Sequence, residues 1–423
     1  MTGPGWTSRE LELDVGPVAH GGHCVARFES RVVFVRHALP GERVVARVTE
    51  DRGGSYCRAD AVSVLVASPD RVEQPCPHAR PGRCGGCDWQ HATPAAQREL
   101  KAVVVCEQLA RLGGYPDVEL VVEELPGGSL GWRTRMRFAV TADGTVGLHR
   151  HRSHDVEPVE HCPIASPAVD EIGVTRQRWP STAAVEVIAS SAGDRALVVT
   201  PQAGAAVEVP PLDADDVAVL QGRPRGGRAV RIRGHRAVRE RALGQVLRVG
   251  ADGFWQVHPA AADVLCAAVV EALQPRPGES ALDLYCGVGL FAAALAPQLA
   301  TGRLVAVESD GAAARDAVYN LRNVTASVSV LTVSVEQALA RLPGGQFDLV
   351  VLDPPRAGAG ARVVAQIADR SPRAVAYVAC DPAALARDVQ TFAGHGYRLA
   401  SIRGFDLFPM THHVECVALL LPG

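Results

Sequence analysis

Lysine is almost missing from this chain: of its 43 lysines and arginines, only Lys101 is lysine. Arginine carries the basic character throughout, so an isolated arginine says less about function than it usually would. Also missing is any uninterrupted apolar run of the ~18 residues that a membrane span requires. The first thirty residues are polar and glycine-rich, without the apolar core of a signal peptide. These absences point to a cytoplasmic protein with no membrane partner, whose 11 cysteines serve as thiols or metal ligands rather than disulfides. Aromatic residues make up only 5%, which leaves few stacking platforms for single-stranded nucleic acid. The formal net charge of -3 neither demands nor excludes a nucleic-acid partner.

A chain of 423 residues can build two or three domains, each with ample core. From Leu11 to Val66, β-rich runs such as Val32-Val33-Phe34-Val35 and Val44-Val45-Ala46-Arg47-Val48 alternate with the turns Gly21-Gly22 and Pro40-Gly41. That spacing predicts a small β-barrel over residues 1–68, of the kind oligonucleotide-binding folds use. A cysteine-rich loop follows at 76–91, then a helix from Ala95 to Leu112 that ends at Gly113-Gly114. Residues 69–252 otherwise read as a β-rich central domain. From 253 to 423, strands at 281–285, 304–308, 328–333, 348–352 and 374–379 alternate with helices. The expected fold there is α/β, a doubly wound Rossmann-like domain closed by a β pair over 397–406 and 414–421.

Ala281-Leu282-Asp283-Leu284-Tyr285-Cys286-Gly287-Val288-Gly289-Leu290-Phe291 reads as a buried strand, a glycine turn and the start of a helix. Such a turn lets a ligand lie close to the backbone beside a helix N-terminus. The next strand ends in Glu308, about 20 residues on, the usual place for a ribose hydroxyl partner. The pattern also admits a nicotinamide cofactor. Three features favour S-adenosylmethionine instead: Asp283 within the strand, the C-terminal place of the unit, and Asp353-Pro354-Pro355-Arg356 at the end of the fourth strand. Cys380 falls between the fifth strand and a helix opened by Asp381-Pro382, where the helix dipole should favour thiolate.

Tyr377-Val378-Ala379-Cys380-Asp381-Pro382, continuing to Asp388, resembles the nucleophile motif of the RNA 5-methyluridine methyltransferases. Asp406-Leu407-Phe408-Pro409-Met410-Thr411-His412-His413-Val414-Glu415 resembles that family's second signature, and Phe254-Trp255-Gln256-Val257 its entry to the catalytic domain. Residues 1–68, with Leu39-Pro40-Gly41-Glu42, are similar to its TRAM domain. The resemblance implies methyl transfer from S-adenosylmethionine to carbon 5 of a uridine in structured RNA, ribosomal or transfer, by a monomer. It implies Cys380 as nucleophile, Glu415 as base, and Gln256, Tyr285, Glu308 and Asp353 as cofactor contacts. The chemistry needs such residues, because a thiolate adding at carbon 6 makes carbon 5 nucleophilic and a base must later remove its proton. Two departures stand out: Leu290 where some relatives carry a polar Asn, and Asp381 where Asn often follows the nucleophile. An iron–sulfur oxidoreductase using NAD and a non-catalytic RNA-binding protein on a methyltransferase scaffold are the other readings.

Cys76, Cys84 and Cys87 are spaced for metal binding, with Cys162-Pro163 far downstream. Spacing leaves two sites open: zinc on Cys76, Cys84, Cys87 and His91, or a [4Fe–4S] cluster on Cys76, Cys84, Cys87 and Cys162. The family resemblance favours the cluster. Cys24, Cys57, Cys106, Cys266, Cys286 and Cys416 read as packing residues, and His149, His151 and His154 as surface histidines. Arg133, Arg135 and Arg137 alternate, so a strand would aim all three at one face. Nine further arginines lie between 223 and 248. Both groups are candidates for phosphate contacts.

Overall fold

The computed structural model describes residues 5–223, 227–342 and 347–423. The N-terminal residues form a five-stranded sheet that curls on itself, with strands Glu10–Asp14, Arg43–Glu50, Tyr56–Val66, Arg31–Arg36 and Cys24–Phe28 in spatial order. Alternation drives the curl. In Glu10–Asp14 and Arg43–Glu50, every second side chain is buried, and the apolar half of each strand faces a common interior. The edges are drawn together beyond Asp14, where the Gly16 amide donates to the Val25 carbonyl at 2.8 Å.

The seven-stranded sheet of the middle region runs from Arg135–Val140 to Val230–Arg233 and encloses its own core around Trp132, Phe138 and Trp179. The stretch 69–252 is nevertheless shared with its neighbours. Strand Val122–Glu124 pairs parallel with Tyr397–Asp406 and so forms the last strand of the C-terminal sheet. The hairpin Ala237–Ala242/Gln245–Gly250 also packs into the C-terminal core, through Val238, Leu247 and Val249.

In the C-terminal sheet, five parallel strands lie in the order Ser327–Thr332, Arg303–Glu308, Ser280–Leu284, Leu349–Leu352, Ala374–Ala379. Antiparallel Glu415–Pro422 and Tyr397–Asp406 extend it. Leu349–Leu352 and Ala374–Ala379 are buried throughout because helices cover both faces, as their near-continuous apolar sequences require. Strand order reverses between Ser280–Leu284 and Leu349–Leu352. That topological switch leaves a crevice at the strands' carboxyl ends.

Helix Pro94–Gln108, capped by the Thr93 hydroxyl, packs against this domain. It brings the single lysine of the chain into the interior. The Lys101 side chain is fully buried, its Nζ 2.5 Å from Asp406 Oδ1 and 3.1 Å from the Phe408 carbonyl. Burial pulls the Lys101 pKa down while Asp406 opposes the shift. Arginine would bring a planar fork with five donors into a space that offers a carboxylate and one carbonyl. Lys101→Met should therefore leave Asp406 buried and unpaired and destabilise the fold by about 3–5 kcal/mol. Lys101→Arg should fail to restore the loss. Urea unfolding measures both, and a Lys101→Met variant as stable as the parent would show that the pair adds nothing.

Candidate active site and cysteine cavity

The loop at the end of Ser280–Leu284 turns sharply. Tyr285 takes φ +63°, unusual for a residue with a side chain, and Gly287 and Gly289 take +54° and +86°. Helix Leu290–Leu299 starts directly afterwards. Asp283, wholly buried in the strand, accepts from the Ala292 amide in that helix at 2.8 Å and ties strand to helix. Glu308, at the end of the neighbouring strand, accepts from the Gly287 amide at 3.0 Å and the Asp310 amide at 2.7 Å. Its carboxylate therefore sets the shape of the glycine turn.

The fourth and fifth strands deliver the opposite wall. After Leu352 come Asp353-Pro354-Pro355-Arg356, and the following loop is pinned by Asp388. That carboxylate accepts from the amides of Ala359 (2.7 Å) and Gly360 and from the Tyr377 hydroxyl (2.6 Å). The first and last residues of the Tyr377–Asp388 segment thus meet each other and fix the Asp353 loop. Cys380 ends the strand, and Asp381 caps helix Pro382–Gly394 by accepting from Ala384 at 2.8 Å. Glu415 enters from the antiparallel strand beside Ala374–Ala379.

All six expected residues meet here. Gln256, Tyr285, Glu308, Asp353, Cys380 and Glu415 line one cleft of about 870 Å³ at the switch point. Leu290 is buried behind it and does not line it. Among the further side chains lining the cleft, Arg356 and His413 had been given no role by the motifs. Both sit inside quoted motifs, but only the fold shows that they share a space with Cys380.

Electrostatically the cleft is acidic and dry. Burial raises the Asp353 and Glu415 carboxyls, and Asp353 pushes Glu415 further up, while Arg356 pulls it back. The expectation of a thiolate at Cys380 is not met in the unliganded protein: burial, Glu415 and Asp353 push the thiol up to about 11, against the pull of Arg356. Two acidic neighbours and desolvation outweigh the helix end.

Four cysteines line a second cavity, of about 300 Å³. Cys76, Cys84, Cys87 and Cys162 face it, with Gly85, Gly86, His149 and His151. Burial raises the Cys84 and Cys87 thiols, and the Cys162 thiol to about 11. His91 is elsewhere, its ring 6.1 Å from that of His37 and its Nε2 3.4 Å from the Ala38 carbonyl. Among the described residues, no group of three or more His, Cys, Asp or Glu is arranged to hold a metal ion. His151 is half-buried against the cavity rather than a free surface histidine. Cys24, Cys57, Cys266, Cys286 and Cys416 are buried and Cys106 partly so.

The arginines behave differently from their alternating pattern. Arg135 is buried, donating to the Gly253 carbonyl at 2.7 Å with Glu240 3.5 Å away, so it is unavailable to a phosphate. Arg133 is held by the Arg135 carbonyl and lines both cavities, and only Arg137 projects outward. Of the nine between 223 and 248, Arg239 and Arg248 pair with Asp194 and Asp316, Arg236 donates to a backbone carbonyl, and Arg225 lies outside the described residues.

A family model described as tRNA (Uracil-5-)-methyltransferase matches residues 234–422, and a TRAM-domain model matches residues 7–62. An "Uncharacterized RNA methyltransferase" of Streptomyces avermitilis is 53% identical over 98% of this chain and 98% of its own. The 23S rRNA (uracil(1939)-C(5))-methyltransferase RlmD of Alkalilimnicola ehrlichii is 34% identical over 97% of this chain and 96% of its own. The chain belongs to the RNA (uracil-C5)-methyltransferases. The same fold is found in Pyrococcus abyssi tRNA (uracil-54, C5)-methyltransferase in complex with S-adenosyl-L-homocysteine. The TM-score is 0.75 at 24% identity, covering 97% of this chain and 100% of that one. No helix of the described methyltransferase is long and apolar enough to cross a membrane.

Asp283 gives this methyltransferase a distinctive pH response. Burial, Asp353 and Glu308 raise its carboxyl from 3.8 to about 7, against the Ala292 amide. Between those values the folded protein keeps a proton that the unfolded chain has lost. Stability attributable to Asp283 is therefore full below about pH 4 and falls as pH rises through about 7. The stability difference between the parent and Asp283→Asn should shift in the variant's favour from pH 5 to pH 8. A difference that stays flat across that range would refute the shift.

Proposed function

We propose that Cys380 and Glu415 carry out methylation of carbon 5 of a uridine in structured RNA through a covalent adduct. The observation that supports this reading is their shared cleft at the topological switch, lined also by Asp353, Glu308, Tyr285 and Gln256. Those four residues would hold S-adenosylmethionine, which when bound supplies the methyl group and a cationic sulfonium. Glu308 and the Gly287 turn suit a ribose hydroxyl, and the buried Asp353 suits a cationic ligand.

The target uridine must leave its stack to reach the cleft. Cys380 Sγ, once deprotonated, adds to carbon 6 and places the electron pair on carbon 5. Carbon 5 takes the methyl group, leaving the sulfonium sulfur as a neutral thioether, and Glu415, having first lost its own proton, then accepts the carbon-5 proton as the Cys380–carbon 6 bond breaks. Burial disfavours the ionised form of both Asp353 and Glu415. The nearby Arg356 is the protein's own counter-charge.

The Alkalilimnicola ehrlichii relative is named for 23S rRNA and the family model for tRNA, so uridines of both are the targets to examine. Nucleoside mass spectrometry and site mapping of RNA from cells with and without the gene would identify it. Cys380→Ala should abolish methylation and form no adduct. Glu415→Gln should still add and methylate, leaving RNA attached through Cys380 as a slowly migrating, denaturation-resistant band. Loss of activity in Glu415→Gln with neither adduct nor methyl transfer would refute its role as base.

The four cysteines lining one cavity suit a [4Fe–4S] cluster, which needs four thiolates spread around a cube rather than drawn onto one ion. Cys76, Cys84, Cys87 and Cys162 would hold it, and its role would be to fix the 76–91 loop. Zinc on His91 would require that ring to leave its packing against His37. Anaerobically purified protein should be brown and contain about four irons per chain, falling sharply in Cys87→Ala. A colourless protein with stoichiometric zinc would overturn the assignment.

A further inference from the structure

The turn Ala19–His23 of the N-terminal barrel lies against both catalytic segments at once. On one side, His20 Nε2 is 3.1 Å from Asp381 Oδ2, while Asp381 Oδ1 caps the helix that follows Cys380. Both carboxylate oxygens are engaged, which holds the residue next to the thiol in one conformation. On the other side, Gly22 lies against His412. A Cβ built on Gly22 would stand 2.6 Å from His412 Cβ, and φ there is +81°, so only glycine lets the backbone come this close.

The turn is itself firmly held. Gly22 N donates to the Ala19 carbonyl at 3.1 Å, and Ala19 N to the His23 carbonyl at 2.7 Å. The Trp89 indole donates to the Gly22 carbonyl at 3.0 Å. His412 in turn is fixed by Asp88, with Nδ1 2.6 Å from Oδ2, and its ring lies 4.1 Å from that of His413, which lines the cleft two residues before Glu415.

We propose that the His20-Gly21-Gly22 turn is a positioning element of the active site, bracing the Cys380 segment through His20 and the Glu415 segment through Gly22. The proposal rests on the reading of Cys380 and Glu415 as nucleophile and base. It gives the barrel a part in the chemistry beyond any contact with RNA. The groups that bear on His20 are Asp381 and Arg387 on the helix after Cys380, and Glu107 on helix Pro94–Gln108. Asp381, the largest of these influences, raises the His20 pKa above 6.5, against burial and Arg387. Asp381 thus favours the charged form of the brace, which relaxes toward a neutral hydrogen bond as pH rises through the His20 pKa.

The test uses the full chain, bulk RNA from a strain lacking the gene, and labelled S-adenosylmethionine. His20→Ala should lower kcat about ten- to a hundredfold, since small misplacements of reacting groups have effects of that size. Its KM for each substrate should stay within about twofold of the parent. His20→Gln, which keeps a donor for Asp381, should recover most of kcat but lack any fall in kcat that the parent shows as His20 loses its proton. Gly22→Ala should lower kcat as well. Unchanged kcat in both His20→Ala and Gly22→Ala would overturn the proposal, as would a defect confined to RNA affinity. If His20→Ala does not fold, the pH profile of His20→Gln decides: a retained step overturns the brace. Cys380→Ala, run in parallel, separates the two readings. An active Cys380→Ala sinks the catalytic assignment itself, whereas an inactive one beside normal His20→Ala and Gly22→Ala variants sinks only the brace.

Discussion

The buried contact between Lys101 and Asp406 organises the return segment on which the cleft depends. Residues 407–414 connect the last two strands of the sheet and have no regular structure of their own. Their conformation is imposed from outside. Lys101 grips both Asp406 and the Phe408 carbonyl, Gln97 accepts from the Met410 amide at 2.8 Å, and the amides of Asp88 and Trp89 donate to the Met410 carbonyl. Met410 itself takes φ +70°, a strained value for a side chain that persists because its hydrogen bonds with Gln97, Asp88 and Trp89 define its position. His413 and Glu415 emerge from this fixed segment. In a protein that uses arginine everywhere else, the one lysine stands where a compact ammonium must be enclosed.

The cleft shows a second constraint, the shortage of positive charge. Asp353, Glu415 and Cys380 are three groups that cost free energy to ionise in one dry space, and Arg356 is the cation that bears on the thiol and Glu415 alike. The arrangement explains why the helix end behind Cys380 does not by itself make a thiolate.

Much of this was legible in the sequence because its signals were local. Buried β-strands alternate with amphipathic helices along the C-terminal half, and the five parallel strands lie within a residue or two of their expected positions. The six site residues could be named because each sits at a strand end or in a motif. What could not be read were contacts between distant segments. Alternation put Arg133, Arg135 and Arg137 on one face, yet Arg135 is buried because the hairpin carrying Glu240 folds over that face. Val122–Glu124, three residues long, has no pattern of its own and becomes a strand only because the edge of the C-terminal sheet is there to pair with it. His151 looked like a surface residue because nothing nearby in sequence covers it, whereas the loop at Gly85 does so in space.

Continuity through the chain also links the two cavities. Cys87 lines the cysteine cavity, and the next residue, Asp88, accepts from both the amide and the ring of His412. The residue after that, Trp89, reaches the Gly22 carbonyl of the barrel. Three consecutive residues therefore join the cysteine loop, the catalytic return segment and the N-terminal domain. A group that fixed Cys87 would fix Asp88 and Trp89 with it, because a bonded neighbour can move no further than one peptide unit allows. On the proposed reading, a cluster in that cavity would bear on methyl transfer through position, with no change of oxidation state.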